Sequence, residues 1–441
     1  MKQKRIRVRV VLPGLQKGQS SWPHIDYDYS RRAGEITTAL EAALPDVEFS
    51  SVVYYSLEEA RAGYEQNEKG KYNGFLIYLS SIWSEIPLFY ARTAKPVIVS
   101  NQLYSGCGDF LRVTEVAIKE NLPIAWASSS DFQDTVDLVR LIEVKEKLRS
   151  SRILIFSDAP YEAQWGVTPE KLEGINRMFG LELIIARSEE LKAAYTESDE
   201  QKALAYKDKW ISEAEALVEP DEQVIMKSAR LHVAIRRLME RHQADAVSID
   251  CLNMFENGLD AYPCLSFFQI NNDGCTGVCE GDVNSTIAQL LLRYLTGKPA
   301  YVSDPVIDES AGQVTYAHCV ATSVPENNGL SCSYLIRSHA EDRKGASVQT
   351  LLPLGKTVTT IALSTQDGAM SVYTAKTVAN INDEKACRTK LAAETDVAKL
   401  IKNYNISVFG WHQVTCYGDY RKDIKNLAKL YGLRLVEQDR D

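Results

Sequence analysis

The chain has 441 residues, 45% of them hydrophobic and 25% charged, and a formal net charge of −9. This is an ordinary globular composition, over a length that suggests two to four domains. The acidic balance argues against a general nucleic-acid binder, because phosphate recognition needs net or clustered positive charge.

The N-terminal residues and the cysteines bear on where the protein works. Residues 1–5 are basic, but in Ile6–Pro13 arginines alternate with apolar residues, which indicates a strand rather than the apolar core of a signal peptide. The longest apolar stretches fall far short of the ~20 residues that span a bilayer. The nine cysteines are most simply interpreted as free thiols. We therefore expect a cytoplasmic protein that binds neither a membrane nor nucleic acid.

The first 300 residues alternate short apolar strands with amphipathic helices. Helices that connect successive strands are typical of parallel sheets, so this order predicts one α/β domain over residues 1–150 and a second over 151–300. The boundary is placed after the long amphipathic helix 131–149, where a new buried strand begins at 153. The predicted strands are 6–13, 47–55, 72–80, 95–101, 122–128, 153–158, 181–187, 246–250 and 265–270, and the predicted helices include 31–44, 56–68, 110–120, 168–179 and 283–295.

The pattern changes near residue 300, where short β-rich segments are separated by Gly, Asn, Asp and Pro. Such spacing predicts a mostly antiparallel, β-rich C-terminal domain over 301–441, with a helix over 419–431. The predicted fold class is therefore α/β, with two α/β domains followed by a β-rich domain. The β segments are predicted at 313–323, 331–337, 348–354, 358–364 and 370–381.

The densest polar cluster of the chain is the segment 271–282, NNDGCTGVCEGD. It is predicted to follow a strand at 265–270 and to precede the helix 283–295. In α/β proteins, ligands and catalytic groups favour this position beyond the carboxyl end of a strand. Glu280 and Asp282 have small neighbours and can approach a metal or a substrate closely. The alternative is a polar turn in which Asp282 caps the following helix.

Three further residues join this cluster as candidates for a functional site. Asp304 is predicted just past a short strand, His318 lies on a β segment, and His412 stands among aromatic residues and glycines. Each one alone is compatible with a structural role. Together with Glu280 they supply two carboxylates and two imidazoles, which suit Mn²⁺, Fe²⁺, Co²⁺ or Mg²⁺ better than a structural zinc ion.

Motifs of several competing sites are missing from the sequence. There is no GxGxxG at the first strand turn, no GxxxxGK[ST] and no GxSxG, so a dinucleotide site, a P-loop and a hydrolase elbow lack support. Cys264, Cys275 and Cys279 include a C-x₃-C spacing but no CxxC pair. A cysteine-bound metal or a redox site is therefore only weakly indicated.

Five short segments match one family pattern in their order and separation. They are 271–283 (NNDGCTGVCEGDV), 295–299 (LTGKP), 302–305 (VSDP), 317–319 (AHC) and 411–419 (WHQVTCYGD). On these segments the chain resembles the L-fucose/L-arabinose isomerase family, and its fucose isomerase-like branch in particular. The resemblance implies two Rossmann-like α/β domains that bind no nucleotide, followed by a β-barrel-like domain. It also implies trimers or hexamers whose active sites form between subunits.

The resemblance also assigns roles to the candidate residues. It places Glu280 and Asp304 on the carboxylate ligands of a divalent metal, usually Mn²⁺, and His412 on the histidine ligand. His318 is a looser match to the additional histidine of the arabinose isomerase type. The implied reaction is aldose–ketose isomerisation of a monosaccharide or a modified monosaccharide through an enediol. It needs an acid and a base, and we assign both roles to Glu280 and Asp304.

Substrate contacts and alternative functions complete the hypothesis. Candidate substrate contacts are Trp22, His24, Asn101, Gln102 and Trp411. The alternative for the first four is a surface loop, and for Trp411 it is packing in the core. An epimerase or a lyase that works through an enediolate would share the metal site. A non-enzymatic sugar-binding module would not need a metal, so metal content separates it from the enzymes.

Overall fold

The computed structural model describes residues 5–20, 22–93, 95–158, 168–256 and 258–441 of the chain. Ser21, which precedes the predicted substrate contact Trp22 in the chain, lies outside the described residues. The chain divides into two compact units. Unit 1 comprises Met1–Lys147 and Lys422–Arg434, and unit 2 comprises Leu148–Arg421 and Leu435–Asp441. The predicted division into three domains stays a prediction.

Unit 1 is built on a five-stranded parallel sheet with the strand order β2-β1-β3-β4-β5. Strands β3 and β4 are buried along their whole length, as expected for apolar runs in a parallel sheet covered on both faces. The strands are β1 Ile6–Pro13, β2 Val47–Tyr54, β3 Gly74–Leu79, β4 Val97–Asn101 and β5 Ile124–Ser128, and the helices are α1 Tyr29–Ala43, α2 Leu57–Gly63, α3 Ile86–Ala91, α4 Cys107–Lys119 and α5 Gln133–Arg149, with a π-helical turn at Tyr64–Glu68.

The first part of unit 2 contains a four-stranded parallel sheet with the order β10-β9-β6-β7. Its strands β9 and β10 are fully buried and place their carboxyl ends side by side. The elements are β6 Arg152–Phe156, α6 Pro169–Phe179, β7 Glu182–Ala186, α7 Ser188–Thr196, α8 Glu200–Glu213, β8 Ala216–Leu217, α9 Glu222–His242, β9 Ala246–Ile249, α10 Cys251–Glu256, α11 Cys264–Asn272, β10 Thr276–Cys279 and α12 Val283–Thr296.

The second part of unit 2 is dominated by a seven-stranded sheet with the order β15-β18-β11-β12-β17-β16-β19. Strand β15 also pairs with β16, so the sheet closes on itself in a barrel-like manner. A small sheet joins β14, β13 and β8. The elements are β11 Tyr301–Asp308, β12 Gln313–His318, β13 Tyr334–Arg337, β14 Ser347–Thr350, β15 Thr357–Ser364, β16 Ala369–Asn380, β17 Thr389–Glu394, α13 Val397–Asn403, α14 Ile406–Phe409, β18 Gln413–Tyr417, α15 Arg421–Tyr431 and β19 Arg434–Glu437.

These sheets confirm the predicted order of two α/β parts followed by a β-rich part. Two parallel sheets with intervening helices precede an antiparallel, barrel-like sheet. No helix within the described ranges is both long and apolar enough to cross a membrane.

The predicted strand at 265–270 was wrong, because this segment lies within helix α11. Every residue of Cys264–Asn271 is buried. An apolar run that is buried on all sides shows neither helical nor strand periodicity, so its pattern cannot distinguish the two structures. The strand that precedes Glu280 is instead β10, which begins at Thr276 inside the polar cluster.

A half-buried lysine joins the end of helix α15 to the rest of unit 1. Lys145 Nζ donates a hydrogen bond of 2.8 Å to the carbonyl of Leu430 and lies 3.3 Å from the centroid of the Tyr431 ring. Lys429 lies over the ring of Trp126 at 3.7 Å. Burial of the ammonium group lowers the pKa of Lys145 to about 7.

The lowered pKa of Lys145 predicts a pH dependence of stability. Between the folded value of about 7 and the ordinary value of 10.5, the unfolded chain holds a proton that the folded chain lacks. Stability therefore rises with pH in this range, by at most about 1.4 kcal/mol per pH unit. In Lys145→Met this contribution should vanish, while the exposed control Lys17→Met should keep it. Urea unfolding across this pH range measures both slopes, and an unchanged slope in Lys145→Met would contradict the prediction.

Candidate metal centre

Glu280 lies in a sharp turn between strand β10 and helix α12. Its φ is +64°, in the left-handed region that residues other than glycine seldom adopt, and Gly281 follows with a φ of +66°. A Cβ atom on Gly281 would lie 3.4 Å from Cβ of Asp250, so the turn packs closely against the end of β9. Backbone strain of this kind is concentrated at functional sites, where the surrounding structure maintains it.

Asp282 has two roles that the sequence presents as alternatives. It caps helix α12, because its Oδ1 accepts a hydrogen bond of 2.9 Å from the backbone N–H of Ser285. Its Oδ2 accepts a bond of 2.7 Å from the Ser285 hydroxyl and lies 3.0 Å from Nδ1 of His412. A carboxylate beside Nδ1 holds the ring proton there and leaves the Nε2 lone pair for a metal.

Strand pairing in the barrel-like sheet brings Asp304 beside His412. Ser303 of β11 pairs with Gln413 of β18, so the next residues in this antiparallel register face each other. Nε2 of His412 lies 3.5 Å from Oδ1 of Asp304 and 3.4 Å from Oε2 of Glu280. Two carboxylates therefore converge on one imidazole nitrogen.

Asp304 itself lies inside strand β11. The sequence-based prediction that it lies just past the end of a strand was wrong. The strand continues through Pro305, although proline donates no ladder hydrogen bond. The pairing with β18 covers only Tyr301–Ser303 of β11, while β12 continues to pair with β11 through Asp308. One side of β11 is therefore an edge at position 305, where a proline is tolerated.

His318 lies on a β segment as predicted, and it is the last residue of strand β12, which pairs with β11. Its Nε2 lies 4.0 Å from Oε1 of Glu280, and its ring centroid lies 5.5 Å from that of His412. One ligand atom each from Glu280, His318 and His412 lies within 4.8 Å of the others. The structure thus brings the four predicted residues together, and their mixture of carboxylate oxygens and imidazole nitrogens suits a divalent cation.

The ionisable groups of this cluster have perturbed pKa values. Burial raises the pKa of Asp304 to about 6, although His412 opposes this shift, and burial lowers the pKa of His318 to about 4. Burial also disfavours the cation of His412, but the carboxylates of Asp282 and Glu280 outweigh it and raise its pKa. Several perturbed groups in one cluster are typical of a functional site.

The predicted substrate contacts fall in both units. Trp411 is 57% exposed, and its side chain lies close enough to Asp304 to favour the charged form of that carboxyl, so it borders the cluster in unit 2. The other four residues belong to unit 1. Trp22 is exposed, and His24 lines a polar cavity of about 450 Å³ beyond the end of β1. Gln102 donates a 3.0 Å hydrogen bond to Tyr27, another residue of that cavity, while Asn101 is buried.

Sequence reasoning predicted strands β13 and β14 but did not single out the charged loop between them, which lies near the cluster. The charge of Glu341 contributes to the raised pKa of Asp304. Nε2 of His339 lies 3.1 Å from the Glu341 carboxylate, and its ring stacks on Tyr262 at 4.5 Å. The sequence signal was the group His-Ala-Glu-Asp at 339–342, between two predicted β segments.

The double role of Asp282 makes Asp282→Asn an informative substitution. An amide has one acceptor oxygen, so it serves either the Ser285 N–H or the ring N–H of His412, but not both as the carboxylate does. We expect metal affinity to fall about 10- to 100-fold, the usual effect of losing such a partner. Isothermal titration of the apo protein with Mn²⁺ measures this. Ser285→Ala removes only the second cap contact and should bind the metal as the wild type does.

No protein-family model matches the chain. Parts of it are similar to curated relatives named sulfoquinovose isomerase. Those of Priestia aryabhattai and Priestia megaterium are each 32% identical to it over 120 residues, which is 25% of this chain and 27% of theirs. That of Clostridium sp. (strain MSTE9) is 26% identical over 190 residues, 41% of this chain and 40% of its own. The matches therefore span less than half the length of these relatives.

Proposed function

We propose that the protein is a metal-dependent aldose–ketose isomerase that acts on a monosaccharide or a modified monosaccharide through an enediol. The observation that carries the proposal is the convergence of the Glu280 and Asp304 carboxylates on Nε2 of His412, at 3.4 and 3.5 Å. The name of the relatives that match part of the chain supports a sugar isomerase, and it suggests a sulfonated aldose as the first substrate to test.

Glu280, Asp304 and His412 would hold a divalent cation, with Mn²⁺ as the first choice and Co²⁺, Fe²⁺ or Mg²⁺ as alternatives. The Asp282 carboxylate fixes the orientation of the His412 ring. When bound, the cation would polarise the substrate carbonyl and stabilise the negative charge that develops on the neighbouring oxygens.

The two carboxylates also supply the proton chemistry in this proposal. Isomerisation moves a proton between C1 and C2, so one group removes a carbon-bound proton and another exchanges a proton with the adjacent oxygens. Glu280 and Asp304 both face the same space beside His412 and are only partly exposed, 39% and 23% for their side chains. Either carboxylate can begin as the base, depending on the direction of the reaction.

Substrate binding and assembly form the last part of the proposal. Trp411, beside the Asp304 carboxylate, offers an indole face that can stack on the C–H surface of a sugar. Trp22, His24, Asn101 and Gln102 are proposed as further substrate contacts. We propose a homo-oligomer, a trimer or a hexamer, in which neighbouring subunits share active sites. Light scattering coupled to gel filtration measures the assembly.

The experiment that tests the function is an isomerase assay on protein stripped with EDTA and reloaded with Mn²⁺. The panel contains neutral, deoxy, uronic, phosphorylated and sulfonated aldoses, and NMR follows ketose formation and exchange of the C2 proton. Metal-dependent exchange with a ketose product is the expected result. Exchange without a ketose would replace isomerisation by epimerase chemistry. A protein that binds no divalent cation would contradict the proposal.

A further inference from the structure

The two histidines of the cluster have opposite hydrogen-bonding environments at Nδ1. Nδ1 of His412 lies 3.0 Å from a carboxylate oxygen of Asp282, which is an acceptor only. Nδ1 of His318 accepts a hydrogen bond of 2.9 Å from the backbone N–H of Cys319, which is a donor only. A neutral imidazole has one N–H and one lone pair, so each neighbour selects a tautomer. In its neutral form, the one that can bind a cation, His412 then has its lone pair on Nε2, whereas His318 has its proton there.

The Nε2 atom of His318 is buried and without a protein partner. The residue is 3% exposed, and its Nε2 makes no hydrogen bond to any of the residues that the structure describes. Oε1 of Glu280, at 4.0 Å, is beyond hydrogen-bond distance. A buried donor is rarely left without an acceptor, so this N–H is available to an oxygen acceptor that a bound ligand supplies.

We propose that His318 is not a metal ligand but donates its Nε2–H to an oxygen of the substrate, a carbonyl or hydroxyl oxygen at C1 or C2. This inference rests on the proposed function and specifies its site. The metal is then held by one imidazole and two carboxylates, and His318 is a catalytic residue that contacts the substrate. A donor at this position stabilises the negative charge that develops on the oxygen as the carbon-bound proton leaves.

The local backbone disfavours the alternative in which His318 binds the metal. Coordination through Nε2 would require the proton on Nδ1, where it would face the Cys319 N–H at 2.9 Å. Two donors would then point at each other, and the buried backbone N–H would lose its acceptor. Rotating the ring by half a turn would place a carbon against that N–H and remove the same bond. Cys319 is 2% exposed, so water has little access to replace it.

The test compares the metal affinity of variants at the two histidines. Apo wild type, His318→Gln, His318→Phe and His412→Gln are titrated with Mn²⁺, and electron paramagnetic resonance measures the free ion. Both His318 variants should bind Mn²⁺ within about threefold of the wild type, while His412→Gln should bind at least about tenfold more weakly. Pulsed resonance on the loaded wild type should show one coordinated imidazole nitrogen.

The activity of the same variants separates donation from a merely structural role. Gln retains an N–H donor and Phe does not, so His318→Phe should lose about 100-fold in kcat and His318→Gln should recover part of it. Equal loss in both variants would contradict the proposal. So would a loss of Mn²⁺ affinity in the His318 variants like that in His412→Gln, or two imidazole nitrogens on the ion.

A further measurement reads the tautomers without metal or substrate. Long-range ¹H–¹⁵N spectra of the apo protein labelled at histidine should show the Nε2–H tautomer for His318, assigned by its loss in His318→Gln. The Nδ1–H tautomer of His318 would overturn the inference even if the isomerase activity were established. Conversely, a chain that binds no divalent cation but shows the Nε2–H tautomer would overturn the proposed function and leave the donor role of His318 supported.

Discussion

Replacing Glu280 by Gln is expected to lower kcat for isomerisation by about 10²- to 10⁴-fold, the contribution of a positioned acid or base. The substitution keeps the shape of the side chain and the left-handed backbone at φ +64°. It removes the charge that faces Nε2 of His412 at 3.4 Å, so both proton transfer and metal binding are weakened. Steady-state kinetics with the aldose identified in the substrate panel measure the loss.

The matched control for Glu280→Gln is Glu341→Gln. Glu341 also acts on the pKa of Asp304, but its side chain is 52% exposed and it lies outside the group of possible ligand atoms. Its replacement should change kcat by less than about tenfold. Circular dichroism and the melting temperature verify that both variants fold. Full activity in Glu280→Gln would remove this residue from the site.

Replacing His412 by Ala is the second change with a large expected effect. Nε2 of this residue is the point on which the Glu280 and Asp304 carboxylates converge, and Asp282 contacts its other ring nitrogen. Without the ring, the carboxylates lose a shared partner and the proposed cation loses its one nitrogen ligand. We expect the Kd for Mn²⁺ to rise at least about 100-fold and isomerase activity to be lost.

Metal analysis and calorimetry measure the effect of His412→Ala, and His242→Ala provides the matched control. His242 lies at the end of helix α9, where it contacts Glu190 at 2.9 Å, away from the cluster. The control should keep full metal content and activity. Retention of Mn²⁺ with wild-type affinity in His412→Ala would contradict the proposed ligand set. Partial recovery of binding on addition of free imidazole would support it.

Most of the correct predictions came from the periodicity of apolar residues and from polar residues placed at the ends of strands. The first strand was predicted at Ile6–Pro13, which is the observed β1, because alternating and continuous apolar runs are local properties of the chain. The β-rich C-terminal part followed from short segments between turn residues. The buried helix α11 was missed, since an apolar run without periodicity does not reveal its structure.

The candidate site was predicted as a set of residue types and not as a geometry. Two carboxylates and two histidines indicated a metal, and the structure brings all four together. What the spacing left open was the role of Asp282, which both caps helix α12 and contacts His412, 130 residues away in sequence. A local pattern reveals the cap, but the second contact depends on how distant strands pair.

The sequence by itself determined the order of layers and the chemical types of the site residues, because both are written in local composition and periodicity. Only the tertiary structure decided which atoms face one another. The register of β11 against β18 and β12 sets Asp304 beside His412 and places His318 next to them. The tertiary structure also decided which tautomer each of the two imidazoles favours, because a tautomer depends on the neighbours of the ring nitrogens. The neighbour of Nδ1 is the Asp282 carboxylate in His412 and the backbone N–H of Cys319 in His318.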